Sequence, residues 1–470
     1  MSGLHTLPRL TRSVKCRPQL SIRQARPFSA CSRCQTDGVY QELTAMRTRM
    51  PFIEALRAQQ DNKDASNKPA TPNPASRDLT PKSMEDSYVK VILPLARDPW
   101  LLDRYISASG HIRLGTLFMD LDALAGVVAY KHTGDAVMTV TAAVDRITLQ
   151  RPLKEICDLE LSGRVTFATG RSSMEVSLQV AKAPAEGQAA QEDDILMTCA
   201  FTMVSLDPTT KKSVPISPLN PTTPEEKKLF DQGQKNYNLK KAASKLALRK
   251  QTPNDEESDL IHALWLQQLG WHDPNTQHRK PDNALSMAKT QIQSVQIMQP
   301  QYRNRHNFMI FGGFLLKSTF ELAFTCVASM SHTRPTFIAL DPSTFENPVP
   351  VGSVLYLTAT VAYTDSPLLD EGVVGSETGR ALRDRKVSAE GMTRVQVRVD
   401  SKVKSVEHDG ETKGTGVFNY TFEVKKDIKV VPETYAQMMM FLDARRRCIH
   451  LDNKSDVAGE GEQAQEGLMT

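Results

Sequence analysis

The 470 residues contain no apolar run near the ~18–20 residues that a membrane-crossing helix needs, so no membrane span is read from them. They also contain no G-x-S-x-G elbow, no P-loop and no H-E-x-x-H. Serine-hydrolase, P-loop nucleotide and zincin chemistry each depend on one of those arrangements, which leaves metal-free chemistry as the simplest choice. Cysteine is scarce, limited to Cys16, Cys31, Cys34, Cys157, Cys199, Cys326 and Cys448. Cys31-x-x-Cys34 has metal-like or redox-like spacing but no second pair. The others are scattered through apolar patterns, as buried thiols of a reducing compartment are.

Asp and Glu are absent from residues 1–36, which carry Arg9, Arg12, Lys15, Arg17, Arg23, Arg26 and Arg33. An arginine-rich, acid-free leader is the profile of a mitochondrial transit peptide. Arg26-Pro-Phe-Ser-Ala30 resembles a matrix-processing site. Setting those seven basic residues aside takes the formal charge from +4 to −3. The remainder is not basic, and no nucleic-acid partner is expected.

What the sequence does have is a duplication. Gly110-His-Ile-Arg-Leu-Gly-Thr-Leu-Phe-Met-Asp-Leu-Asp-Ala-Leu-Ala-Gly126 places its apolar residues at helical spacing. Arg305-His-Asn-Phe-Met-Ile-Phe-Gly-Gly-Phe-Leu-Leu-Lys-Ser-Thr-Phe-Glu-Leu-Ala-Phe324 reads as a second helix with a glycine-rich start. Overlaying Gly115 on Gly313 puts Ala125 on Ala323, and Asp122 within one residue of Glu321. Downstream, Asp145 and Pro152 match Asp341 and Pro348 at an offset of 196 residues, and Leu159, Leu161 and Val165 then align without gaps on Leu355, Leu357 and Val361. A repeat of this length is one fold used twice.

Around each helix lie strand patterns, among them Val140/Ala142/Val144, Met174/Val176/Leu178/Val180 and Phe418/Tyr420/Phe422/Val424. The expected organisation is a transit peptide at 1–36, a helix and flexible linker at 37–84, a first unit at 85–206 and a helical insert at 207–286. A second unit follows at 287–450, closed by a helix near Glu433–Arg447, then a disordered acidic tail at 451–470. Each unit reads as a strand, a central helix and about four antiparallel strands. The fold class is therefore α+β, a double hotdog with a helical inter-repeat insert.

The chemistry-bearing residues cluster at the helices. Two glycines at a helix start allow close approach to the backbone and leave N–H donors at the positive end of the dipole. Gly312-Gly313 and Gly115-Thr116 are the candidate donor sets. Asp122 and Glu321 sit beside apolar stripes, where desolvation would raise a carboxylate toward a useful base. Asp122 is the first choice, Glu321 the second. His306 and His111 precede the helices and read as hydrogen-bonding residues at the helix entry more readily than as bases.

The chain resembles the mitochondrial double-hotdog acyl-CoA thioesterases, the type-nine group, over roughly residues 85–450. In the first half the resemblance is carried by Ile112-Arg-Leu-Gly115, Met119-Asp-Leu-Asp-Ala-Leu-Ala125, Val140-Thr-Ala-Ala-Val-Asp-Arg-Ile147 and Ser173-Met-Glu-Val176. In the second half it is carried by Arg303-Asn304, His306-Asn307, Ile310-Phe-Gly-Gly-Phe-Leu315, Phe320-Glu-Leu-Ala323, Arg334-Pro335 and Asn347-Pro-Val349. It implies hydrolysis of acyl-CoA to free fatty acid and CoA in the mitochondrial matrix. No cofactor is implied, since CoA is part of the substrate. It also implies a homo-oligomer, a trimer of double hotdogs or similar. Many such enzymes carry Asn or Asp four residues before the second helix-start glycine; His111 and Met309 stand there instead. Asn307, two residues before Met309, is the nearest replacement, set to hold water or the thioester oxygen across the seam from Asp122. Arg303, Arg305 and Arg164 are candidate contacts for the CoA phosphates. Two other readings stay open: a non-catalytic acyl-CoA-binding hotdog protein or assembly subunit, and a hotdog hydratase or dehydratase.

Overall fold

The computed structural model describes residues 50–65 and 79–449, apart from 152–154, 185–190, 209, 247, 249–250, 276–278, 307, 367, 369–390 and 408–409. The expected transit peptide, most of the linker, the tail and Asn307 lie outside the described residues. A first helix, α1 (Phe52–Ala65), precedes the repeats.

The first repeat opens with β1 (Val89–Leu93) and a short helix, α2 (Pro99–Tyr105), which the sequence reading did not foresee. Asp98 caps α2 by accepting from the N–H groups of Trp100 and Leu101, and Pro99 sits where no donor is needed. The central helix α3 (Leu114–Thr133) buries Leu117, Phe118, Leu121, Leu124, Ala125 and Val128 and stops at Gly134, whose φ of 73° suits only glycine without strain. Around it run β2 (Met138–Val144), β3 (Ile147–Leu149), β4 (Leu159–Ala168), β5 (Ser173–Lys182) and β6 (Ile195–Leu206). Their apolar alternation sets the register: Leu161 faces Val180 and Val165 faces Val176.

The insert supplies α4 (Pro224–Leu246) and α5 (Asp255–His272) and ends in β7 (Ala284–Ser286). The second repeat then copies the first, with β8 (Ile292–Ile297), central helix α6 (Gly312–Ser331), β9 (Thr336–Leu340), β10 (Ser343–Thr344), β11 (Val354–Thr364), β12 (Thr393–Lys404) and β13 (Lys413–Val424). Strand β14 (Lys429–Val431) and a closing helix α7 (residues 435–449) finish the described chain.

Among the described residues, twelve strands form one continuous sheet, in the order β1-β4-β5-β6-β3-β9-β13-β12-β11-β8, with β2 and β10 paired at the join. The join is two-fold. Ile147 pairs with Leu340 and Val144 with Ser343. The 196-residue offset carries Val144 onto Leu340 and Ile147 onto Ser343, so each pair is the other with the halves exchanged, as in an isologous dimer interface. One buried cluster runs through both repeats.

Helices also cover the convex faces. On the first, α4 packs Phe230 at a tilt against Phe167, ring centroids 5.0 Å apart, and sets Lys240 on Asp145 at 2.8 Å. On the second, α5 and α7 are clasped by Arg446 on Glu257 and Arg445 on Glu256. The arginine run near the end of α7 thus pairs with carboxylates, and Arg447 reaches the buried Asp341 at 3.4 Å.

Candidate active site

The two central helices cross at the seam, and glycine is what lets them meet. A Cβ on Gly313 would stand 2.8 Å from the Met119 carbonyl and 2.9 Å from the Asp122 Cβ. Because α6 begins there, its first N–H groups point at α3. The Gly313 N–H donates to Asp122 Oδ2 at 2.6 Å. Phe311 at the N-cap position offers no side-chain acceptor, so Asp122 from the other repeat does the capping. Its second oxygen accepts from the Thr141 hydroxyl at 2.7 Å. Thr141 lies on β2 next to a register shift between Thr141 and Ala143, a bulge that re-aims side chains. Asp122 is 4% exposed, and both contacts plus the positive end of α6 favour its negative charge.

A cavity of about 570 Å3 opens beside this carboxylate. Asp122, Gly126 and Tyr130, at four-residue spacing on α3, form its floor, together with Thr139, Thr141, Met138 and Met203 of the first sheet. The second repeat contributes Asn304, Arg305, His306, Met309, Gly312 and Leu315. Gly126 leaves open space, since a Cβ there would meet nothing within 4 Å.

The sequence-derived candidates divide. Asp122, Gly312, Arg305 and His306 line the cavity. His306 does not meet Asp122 as a base would: its Nε2 is 2.9 Å from the Tyr130 hydroxyl, eight residues and thus about 12 Å further along α3. Arg305 lies over the Tyr130 ring and pairs with Asp135 at 2.5 Å. Gly313 does not offer its N–H to a ligand, because Asp122 holds it. Arg303 faces away, donating to the Pro300 and Met50 carbonyls and covering Phe52, so it anchors α1. Asn307 lies outside the described residues.

Gly115, Thr116 and Glu321 belong to the two-fold-related seam. There a Cβ on Gly115 would stand 3.2 Å from Phe320 Cδ1, and Thr116 is buried. Glu321 is not a desolvated base: its side chain is 45% exposed and ion-paired with Arg113 at 2.6 Å. At the helix offset of 198 residues the counterpart of Asp122 is Phe320. Phe320 packs edge-on against Phe118 at 5.2 Å and fills that seam with aromatic core. His111 is exposed, with Nδ1 3.0 Å from the Ser109 hydroxyl.

Thr141, Tyr130, Asn304 and Lys211 are cavity residues that sequence reasoning passed over as site residues. Tyr130 could have been found from its helical spacing to Asp122. Thr141 could not: it falls between the members of the Val140/Ala142/Val144 alternation, and the bulge beside it is not visible in the sequence.

Fold and site together define the double-hotdog class, with one carboxylate-bearing cavity at the seam. The chain is 33% identical over 380 residues to acyl-coenzyme A thioesterase 9, mitochondrial, of Homo sapiens, covering 78% of each chain. It is 32% identical over 383 residues to acyl-coenzyme A thioesterase 10, mitochondrial, of Mus musculus, again covering 78% of each. It is 33% identical over 340 residues to acyl-coenzyme A thioesterase 2, chloroplastic, of Humulus lupulus, covering 70% of this chain and 76% of that one. A solved apo hexameric acyl-CoA thioesterase overlays 35% of this chain and 97% of its own at 28% identity, with a TM-score of 0.29. No protein-family profile matches. The chain belongs to the mitochondrial acyl-CoA thioesterase family represented by types nine and ten.

Proposed function

We propose that the chain hydrolyses fatty acyl-CoA to free fatty acid and CoA in the mitochondrial matrix, from one site per chain. The observation that carries the site assignment is Asp122: a buried carboxylate at a cavity wall, fixed by a backbone N–H of one repeat and a hydroxyl of the other. In this reading Asp122 orients a water and takes its proton as the oxygen attacks the thioester carbonyl. The Gly312 N–H, at the first turn of α6 and on the cavity wall, polarises that carbonyl. One such donor is worth roughly 2.7–4 kcal/mol of barrier. Asn304 supplies a further polar group on the same wall. Collapse of the tetrahedral intermediate expels the CoA thiolate, which the proton held by Asp122 neutralises. The reaction uses water and needs no cofactor beyond the CoA of the substrate.

Phe320 and the Arg113–Glu321 ion pair support the single-site stoichiometry, because the position equivalent to Asp122 is filled by aromatic core and the neighbouring carboxylate is half-exposed and ion-paired. Assembly into a homo-oligomer is part of the proposal. The edge strand β8 leaves Val295 and Ile297 57% exposed, and Tyr356 of β11 stands opposite Val295. No described helix is long and apolar enough to cross a membrane.

The test is thiol release from a chain-length series of acyl-CoAs by the purified chain, its Asp122→Asn variant and its Glu321→Gln variant. Asp122→Asn keeps an acceptor for the Gly313 N–H, so the fold should persist while kcat falls by about 10²–10⁴. Glu321→Gln should leave kcat unchanged. Near-normal turnover by Asp122→Asn would remove that residue from the mechanism.

A further inference from the structure

The cavity has a second polar focus that the hydrolytic chemistry does not use. About two turns of α3 beyond Asp122, on the far side of Gly126, lie Tyr130, Arg305, His306 and Lys211. Lys211 sits in the loop after β6, the exit from the first repeat. Its backbone is left-handed, with φ of 57°, a conformation that non-glycine residues adopt at a cost. The loop enforces it: Lys211 N–H donates to the Asp207 carbonyl, and Asp207 N–H donates to that of Lys212. The effect is to turn the side chain back over the cavity, with Nζ 3.4 Å from the thioether sulphur of Met138. A thioether is a poor acceptor for a strongly hydrated ammonium group. No carboxylate among the described residues forms an ion pair with it. Arg305, which lines the same cavity, is partly neutralised by Asp135. Glu346 and Asn347 line the cavity next to Phe345, whose ring approaches Gly312 at the other helix start.

We infer that Lys211, together with Arg305 of the same cavity lining, is the anion subsite of this cavity and receives the phosphate groups of CoA. The inference rests on the thioesterase reading above and gives the substrate a direction. The pantetheine arm runs along α3 from Lys211 over Gly126 to Asp122, so the thioester reaches Gly312 at the α6 N-terminus. The acyl chain then continues toward Met309, Leu315 and Val349. Charge decides this orientation. A phosphate turned the other way would meet Glu346 and leave the Lys211 ammonium on a sulphur atom.

The experiment compares an acyl-CoA with the S-acyl-pantetheine of the same chain, which lacks the phosphates, using the full chain and its Lys211→Met and Lys211→Glu variants. Methionine keeps the unbranched stem without the charge and has the same backbone demand. The expected result is a KM for acyl-CoA raised about tenfold by Lys211→Met, the loss of one charge-assisted contact, and raised further by Lys211→Glu. The salt dependence of that KM should flatten, while kcat and the KM for acyl-pantetheine hold. An unchanged KM for acyl-CoA, or an equal rise for both substrates, overturns the assignment. A parent chain that cleaves neither thioester sinks the hydrolytic reading itself. A parent chain that cleaves both with equal KM sinks only the anion subsite.

Discussion

Asp122 has a structural role beside the chemical one proposed for it. It caps a helix from the opposite repeat, so its position cannot drift without loosening the start of α6. The same contacts that hold it also place it on the cavity wall. His132 is a contrasting case near the end of the same helix. Its Nε2–H donates to the Ser217 carbonyl at 2.8 Å, while Nδ1 is buried and meets no hydrogen-bond partner among the described residues. Burial pushes its pKa below the ordinary 6.5, with the Ser217 contact opposing. The unfolded chain therefore takes up a proton at a pH where the folded chain does not, and stability falls as pH drops through about 6.5 toward the folded value. The melting temperature should decline from pH 7 to 5.5, with a shallower decline in His132→Gln. Equal slopes for the two proteins would show that this imidazole does not set the trend.

Among the elements, the crossing of α3 and α6 matters most, because it brings a carboxylate of one repeat to the N-terminus of a helix in the other. Gly313 sets the separation. In Gly313→Ala the added methyl meets Phe311 Cε2 at 2.7 Å as well as the Met119 carbonyl and Asp122 Cβ. Two of those three atoms are backbone or Cβ and cannot swing aside. The variant should lose roughly 1–3 kcal/mol of stability, the usual range for an overpacked contact. It should lose turnover more severely, because the strain falls on Asp122. Differential scanning calorimetry together with thiol release measures both, and a variant with full activity would mean the crossing has slack. The convex-face helices act further out. Arg446 holds the capping box of α5 by donating to both oxygens of Glu257, at 2.6 Å each.

At the scale of the whole molecule, the two repeats are one unit. The ladder continues through β3 and β9, the seam carries the buried Asp341 between Arg146 of one repeat and Arg447 of α7, and the apolar core runs across. Neither repeat can open without exposing the other's face. Heating should give one calorimetric transition, and two resolved transitions would show that the halves are thermodynamically separate.

The duplication, the two central helices, the strand patterns and a carboxylate at Asp122 beside the helix crossing were legible in the sequence. Periodicity and internal self-similarity are local records of which face each element buries, and they need no coordinates to read. The sequence could not say which of two related seams is open. That depended on Phe320 turning into an aromatic cluster and on Glu321 finding Arg113, 208 residues away in the chain. It could not place Thr141, because a bulge decides which way that side chain points. Nor could it separate Arg303 from Arg305, two residues apart, one tied to α1 and the other facing the cavity. Charge, side-chain direction and open space at a seam are set by partners distant in the chain, and only folding brings those partners within reach.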